Sequence, residues 1–127
     1  MRFGYTILYV GDVGASVDFY ERAFGVERRL VHESGQYAEL ETGATTLAFA
    51  DRDLAGQNLP DELRPQPGRT RPSFEVCFVA DDVRAAYDRA REAGAEAISK
   101  PETKPWGQEV AYVRDPDGVL VELATPA

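Results

Sequence analysis

The chain has 127 residues, of which 22 are Asp or Glu and 14 are Lys or Arg, so its formal net charge is −8. This acidic balance argues against a nucleic acid or an anionic membrane surface as a partner, because both select basic proteins. Hydrophobic residues make up 43% of the chain and charged residues 28%, which is typical of one globular domain and not of a disordered chain. The single cysteine, Cys77, excludes an intramolecular disulfide and a cysteine-based zinc cluster.

The sequence also limits where the protein acts. No apolar run approaches the ~20 residues that a membrane helix needs. The first residues run directly into a strand-like pattern and show no secretory signal. We therefore expect a soluble cytoplasmic protein.

The strongest pattern in the sequence is an internal repeat. The matching pairs, which are 69 to 72 residues apart, are Asp12 and Asp82, Val13 and Val83, Ala15 and Ala85, Asp18 and Asp88, Gly25 and Gly94, and Gly35 and Gly107. A period this long does not fit a solenoid, whose repeats span about 20 to 50 residues. The sequence therefore predicts two related halves.

Each half is predicted to begin with a strand and to continue with a helix. Residues 3–10 and 74–80 are rich in β-branched and aromatic side chains, as strands are. In the helix that follows the first strand, the apolar residues fall on one face: Val13, Val17, Tyr20 and Phe24. Asp12 is placed as the N-cap of this helix and Gly25 as its left-handed C-terminal residue. Asp82 and Gly94 have the same places in the second half.

Three strands are predicted after each helix. Their ranges are 26–33, 36–42 and 45–50 in the first half, and 95–99, 108–114 and 118–124 in the second. Residues 51–72 contain four prolines and many charges, which predicts a linker loop. The chain is thus one domain, 1–127, with a first module of about 1–50, a linker of 51–72 and a second module of about 73–127.

This element order, together with three segments of sequence, resembles the vicinal oxygen chelate superfamily, which includes glyoxalase I, bleomycin resistance proteins and extradiol dioxygenases. The segments are residues 10–25, 104–108 and 115–123. The resemblance implies an α+β fold in which two βαβββ modules form a cup-shaped, curved mixed sheet, and it implies a homodimer. It does not select an activity, because the same scaffold is found in isomerases, dioxygenases, thiol transferases and drug binders without catalytic activity.

Metal-dependent members of this superfamily have four ligands in the cup, on their first, fourth, fifth and eighth strands. The corresponding residues of this chain are Tyr5, Ala48, Glu75 and Glu122. Only Glu122 matches the family's ligand type. Ala48 has no donor atom, and Tyr5 is a poor ligand because a phenol has a pKa of about 10. We therefore expect no cofactor, although Glu75 and Glu122 together could hold a hard divalent metal ion weakly.

Strand alternation predicts which side chains face the cup and so form a candidate ligand site. These residues are Tyr5, Ile7, Tyr9, Ala48, Cys77, Trp106 and Leu120. Trp106 lies in the loop before the seventh strand and is a candidate stacking lid. Glu75 and Glu122 are the candidate catalytic residues, because two carboxyl groups that approach each other raise the pKa of one of them. A hydrated cup wall is the alternative interpretation of this pair.

Three functions stay open. The first is a metal-free binding module of the bleomycin-resistance kind, for an aromatic or cationic small molecule; the missing metal ligands and the negative net charge favour it. The second is a glyoxalase-like lyase or isomerase, or a dioxygenase, which is either metal-dependent or uses Glu75 as a general base. The third is a dimeric regulator that binds no ligand.

Overall fold

The computed structural model describes residues 1–68 and 71–127. The strands are β1 (Tyr5–Val10), β2 (Arg28–Val31), β3 (Tyr37–Leu40), β4 (Thr46–Asp51), β5 (Val76–Val79), β6 (Glu96–Thr103), β7 (Glu109–Arg114) and β8 (Leu120–Ala124). The helices are α1 (Val13–Phe24), α2 (Arg52–Gln57) and α3 (Val83–Glu92), with a short 3-10 helix at Asp61–Leu63.

The chain divides into two compact units. The first contains residues 1–21 and 25–67, and the second contains residues 22–24 and 68–127. Each unit has a four-stranded mixed sheet, in the order β1-β4-β3-β2 in the first and β5-β8-β7-β6 in the second. In both, the first strand runs parallel to the last strand of its module, and the remaining pairs are antiparallel. The predicted α+β fold of two βαβββ modules is confirmed.

The predicted linker is only partly a loop. Its first residues form α2, and the carboxylate of Asp51 accepts a hydrogen bond from the backbone N–H of Asp53 at 2.8 Å. The loop prediction was therefore wrong for this part of residues 51–72. The proline-rich stretch begins only at Pro60, so the residues before it are free to form a helical turn. Residues 69 and 70 of the linker lie outside the described residues.

The ends of the helices follow from local chemistry. The carboxylates of Asp12 and Asp82 each accept a backbone N–H three residues further on, at 3.0 Å, which confirms both predicted N-caps. Gly25 ends α1 with a φ of 69°, in the predicted left-handed conformation. The end of α3 differs, because Ala93 is a right-handed C-cap and Gly94 follows it with a φ of 108°. No helix in the described part of the chain is long and apolar enough to cross a membrane.

Strand alternation gives each sheet two different faces. In the first sheet, Leu8 pairs with Phe49, and Phe49 packs against Tyr20 of α1 with 4.8 Å between ring centroids. In the second sheet, Phe78 pairs with Leu123, and both border a groove lined by residues of α3. The alternate residues of each strand therefore lie on the faces opposite α1 and opposite α3, and these are the faces that hold the predicted site residues.

Candidate functional site

Two carboxyl groups meet on the face of the second sheet opposite α3. Glu122 lies in β8, and Glu75 lies one residue before β5. In the β5–β8 register Cys77 is the partner of Glu122, so Glu75 is two residues along the same side of the neighbouring strand. The two side chains are close enough for the Glu75 carboxyl group to raise the pKa of Glu122, chiefly as a hydrogen-bond partner. Because a carboxylate only accepts hydrogen bonds, such a bond requires a proton on one of the two groups.

This interaction raises the pKa of Glu122. The hydrogen bond with Glu75, then burial, then the negative charge of Glu75 raise the pKa of Glu122 from 4.5 to about 7. Near neutral pH the Glu122 carboxyl group is thus divided between its acid and its carboxylate form. A group with such a pKa can both donate and accept a proton at physiological pH.

A thiol and a phenol border the Glu75–Glu122 pair. Cys77 pairs with Glu122 across β5 and β8, and Tyr112 pairs with it across β7 and β8. Burial, followed by the charges of Glu122 and Glu75, raises the pKa of the Cys77 thiol and that of the Tyr112 phenol. A raised pKa keeps the thiol neutral at pH 7, so Cys77 is unsuited to nucleophilic catalysis. Strand alternation applied to β7 would have found Tyr112, which sequence reasoning missed.

The residues present do not fit the four-ligand metal site that the family resemblance implies. In the first unit, the Ala48 position offers only a methyl group. In the second unit, Glu75 and Glu122 offer two carboxyl groups, of which only Glu122 matches the family's ligand type. In residues 1–68 and 71–127, no three or more His, Cys, Asp or Glu side chains lie close enough together to hold a metal ion.

The predicted lid residue, Trp106, is anchored away from the carboxyl pair. Its indole Nε1 donates a hydrogen bond to Oε1 of Gln108 at 2.8 Å, and Nε2 of Gln108 donates to the carbonyl of Thr125 at 2.7 Å. Thr125 is three residues beyond Glu122, which is roughly 10 Å along an extended chain. The exposed indole therefore lies near the carboxyl end of β8, and its role as a lid stays a prediction. Leu120 is half-buried and lies two residues before Glu122, on the same face.

The predicted ligand residues of the first unit share the face of the sheet opposite α1. Tyr5, Ile7 and Tyr9 alternate with buried residues along β1 and are themselves exposed. Ala48 is the register partner of Ile7 and lies on the same face, but it has no exposed surface. Its contact with a ligand therefore stays a prediction, whereas the three β1 side chains are accessible.

The same face holds a polar cluster that sequence reasoning missed. Nη2 of Arg29 donates to Oε1 of Glu39 at 2.6 Å and to Oγ1 of Thr46 at 2.9 Å, and the Tyr37 hydroxyl donates to Oε2 of Glu39 at 2.8 Å. Hydrogen bonds from Arg29 and then Tyr37 lower the pKa of Glu39, while burial and then Glu39 raise the pKa of Tyr37 to about 12. Alternation along β3 would have indicated Tyr37 and Glu39. The register of β2 shifts between Arg28 and Leu30, so the pairing of Arg29 could not be predicted in the same way.

A family model and individual relatives agree with this fold. The model of the Glyoxalase/Bleomycin resistance protein/Dioxygenase superfamily matches residues 2–123. The chain belongs to this superfamily. The resemblance to the vicinal oxygen chelate proteins is thereby confirmed.

The similar proteins do not all carry the name of one activity. The chain is 30% identical over 117 residues to the uncharacterized protein YraH of Bacillus subtilis, and 91% of each chain is covered. It is 29% identical over 128 residues to a probable lactoylglutathione lyase of Vibrio parahaemolyticus, which covers 96% of this chain and 88% of the relative. A crystal structure of a family enzyme from Burkholderia phytofirmans has a TM-score of 0.84 at 20% identity and covers 98% of both chains, which shows the fold alone.

Proposed function

We propose that this superfamily member is a small-molecule binding protein of the bleomycin-resistance kind, which takes a cationic, aromatic ligand without needing a metal ion. The Glu75–Glu122 pair beside Tyr112 is the observation that supports this proposal. When Glu122 loses its proton, two negative charges lie side by side, and a bound cation relieves their repulsion. The Tyr112 ring offers a surface for a cation–π contact next to them. A homodimer, which the resemblance implies, is part of this proposal.

The charge state of Glu122 makes ligand affinity depend on pH. A quaternary ammonium probe such as benzyltrimethylammonium keeps its charge at every pH, so any change in affinity reports on the protein. We expect this probe to bind about tenfold more tightly well above pH 7 than well below it, which is about 1.4 kcal/mol. Isothermal titration calorimetry at both pH values, with and without EDTA, measures this difference.

Two variants test the origin of this pH dependence. Glu122→Gln removes the titrating group, so its affinity should be weak and equal at both pH values. Glu92→Gln makes the same chemical change at the exposed end of α3 and should behave like the unmodified protein. The proposal fails if the affinity is independent of pH, if Glu122→Gln leaves it unchanged, or if EDTA abolishes binding.

Proton transfer is the second candidate function, as in a metal-free lyase or isomerase. The pKa of about 7 at Glu122 favours it, because such a group can move a proton between a carbon atom and solvent. In this case Glu122 is the general base and Glu75 positions its proton, whereas the sequence suggested Glu75 as the general base. The similarity to a probable lactoylglutathione lyase supports testing that compound.

Hydrogen–deuterium exchange into lactoylglutathione distinguishes the two functions. If the protein acts as a base, NMR in D2O should show exchange at the carbon atom next to the thioester carbonyl. Glu122→Gln should abolish this exchange, and Glu92→Gln should not. A protein that only binds ligands would leave the exchange at its uncatalysed rate in all three samples.

A further inference from the structure

Two hydrogen bonds hold Arg29 of the first unit in place, but they involve only part of its guanidinium group. Both hydrogen bonds of Arg29 start from Nη2, and they end on Glu39 in β3 and Thr46 in β4. These two bonds hold the guanidinium group of Arg29, which lies in β2, against side chains of the strands β3 and β4. Within the described residues, Arg29 makes no hydrogen bond through Nε or Nη1.

The carboxylate that holds Arg29 is shielded, whereas the guanidinium group reaches solvent. The side chain of Arg29 is 38% exposed and that of Glu39 only 12%. Both oxygens of Glu39 are occupied, one by Arg29 and the other by the Tyr37 hydroxyl. The accessible part of this ion pair is the guanidinium group, on which the charge of the exposed Glu41 side chain also acts. Its remaining N–H donors are suited to a carboxylate in a two-pronged contact, which has to compete with Glu41.

Exposed apolar side chains lie next to this guanidinium group. Tyr5 is the register partner of Thr46, whose hydroxyl accepts a hydrogen bond from Arg29, so Tyr5 and Arg29 are neighbours on the same face. Tyr5 is 54% exposed and Ile7, two residues along β1, is 44% exposed. An oriented cation beside an aromatic ring and an aliphatic side chain matches a ligand that combines a carboxylate with an aromatic ring.

We propose that the face of the first sheet opposite α1 binds aromatic carboxylates, with the carboxylate on Arg29 and the ring against Tyr5 and Ile7. This face belongs to the first unit and its accessible charge is positive, whereas the Glu75–Glu122 pair belongs to the second unit and is acidic, so the proposal does not depend on the function proposed for that pair. The competing view is that Arg29 only braces β2, β3 and β4. A brace predicts an effect on stability but no effect on a carboxylate probe.

Benzoate is a suitable probe, and benzamide is its neutral counterpart with the same ring. Titration followed by amide NMR should show saturable benzoate binding that shifts the signals of β1 and β4, and at least about tenfold weaker binding of benzamide. Arg29→Met should weaken benzoate binding by about tenfold or more. Arg29→Lys keeps the charge but loses the two-pronged geometry, so its affinity should lie in between.

Arg28→Met is the matched control. Arg28 precedes Arg29 but donates its hydrogen bonds to Glu21 and Asp18 of α1, so it serves the other face of the sheet. Its replacement should leave benzoate affinity unchanged. The proposal is overturned if benzoate does not bind saturably, if benzamide binds equally well, or if Arg29→Met and Arg28→Met have the same affinity. Circular dichroism verifies that each variant is folded. If Arg29→Met does not fold, the benzoate affinity of Arg29→Lys is compared with that of Arg28→Met instead.

Discussion

Replacing Phe49 with alanine is expected to lower the free energy of unfolding by about 3–5 kcal/mol. Phe49 has no exposed surface, and its ring meets that of Tyr20 in α1 edge to face at 4.8 Å. The substitution removes this contact and leaves a cavity between helix and sheet, in an interior that is packed as densely as an organic crystal. The free energy of unfolding of a domain is about 5–15 kcal/mol, so this loss is a large part of the total. Urea denaturation followed by circular dichroism measures it.

Phe3 provides the control for this substitution. It is 73% exposed, so Phe3→Ala should change the free energy of unfolding by no more than about 0.5 kcal/mol. A loss below about 1 kcal/mol for Phe49→Ala would contradict the packing between α1 and the first sheet.

Replacing Glu75 with glutamine is expected to bring the pKa of Glu122 down from about 7 towards its ordinary value of 4.5. The hydrogen bond with the Glu75 carboxylate is the largest cause of the raised value, and the glutamine amide can instead donate a hydrogen bond to ionised Glu122. A pH titration of the carboxyl carbon signals by NMR measures this change. Glu92→Gln should leave the pKa of Glu122 at about 7.

The same change affects how stability depends on pH. The pKa of Glu122 is higher in the folded chain than in the unfolded chain, so this group contributes most to stability below about pH 4.5. Its contribution declines between about pH 4.5 and pH 7, where the unfolded chain has released this proton and the folded chain still binds it, and the contribution is lost above about pH 7. Glu75→Gln should make this decline shallower. If the pKa of Glu122 remained at about 7 in the variant, burial and not Glu75 would be its main cause.

Patterns within short segments predicted most of the fold. An Asp side chain reaches the N–H groups of the next helical turn, so Asp12 and Asp82 could be identified as caps from their position alone. Side chains alternate along an extended strand, so the exposed face of β1 and the buried face of β8 followed from the spacing of apolar residues. These features depend on residues a few positions apart, which a single sequence displays directly.

Features that depend on neighbouring strands were harder to predict. Arg29 belongs to the polar cluster because the pairing of β2 with β3 brings it to Glu39, and the register of that pairing shifts between Arg28 and Leu30. Tyr112 borders Glu122 because β7 and β8 pair in one particular register. The helix α2 ends before Pro60, so the prolines that predict a loop say nothing about its residues.

The family, the two-module fold and the side of its strand on which each carboxylate lies could be predicted from the sequence. The caps and the strand period are local in the chain, and the internal repeat is visible by comparing the two halves of the sequence directly. The pairing of β5 with β8 brings Glu75 next to Glu122 and so raises the pKa of Glu122, which a single sequence does not display. A pKa depends on the distance to other charges and on the loss of water around the group, and both arise only when β5 and β8 pair.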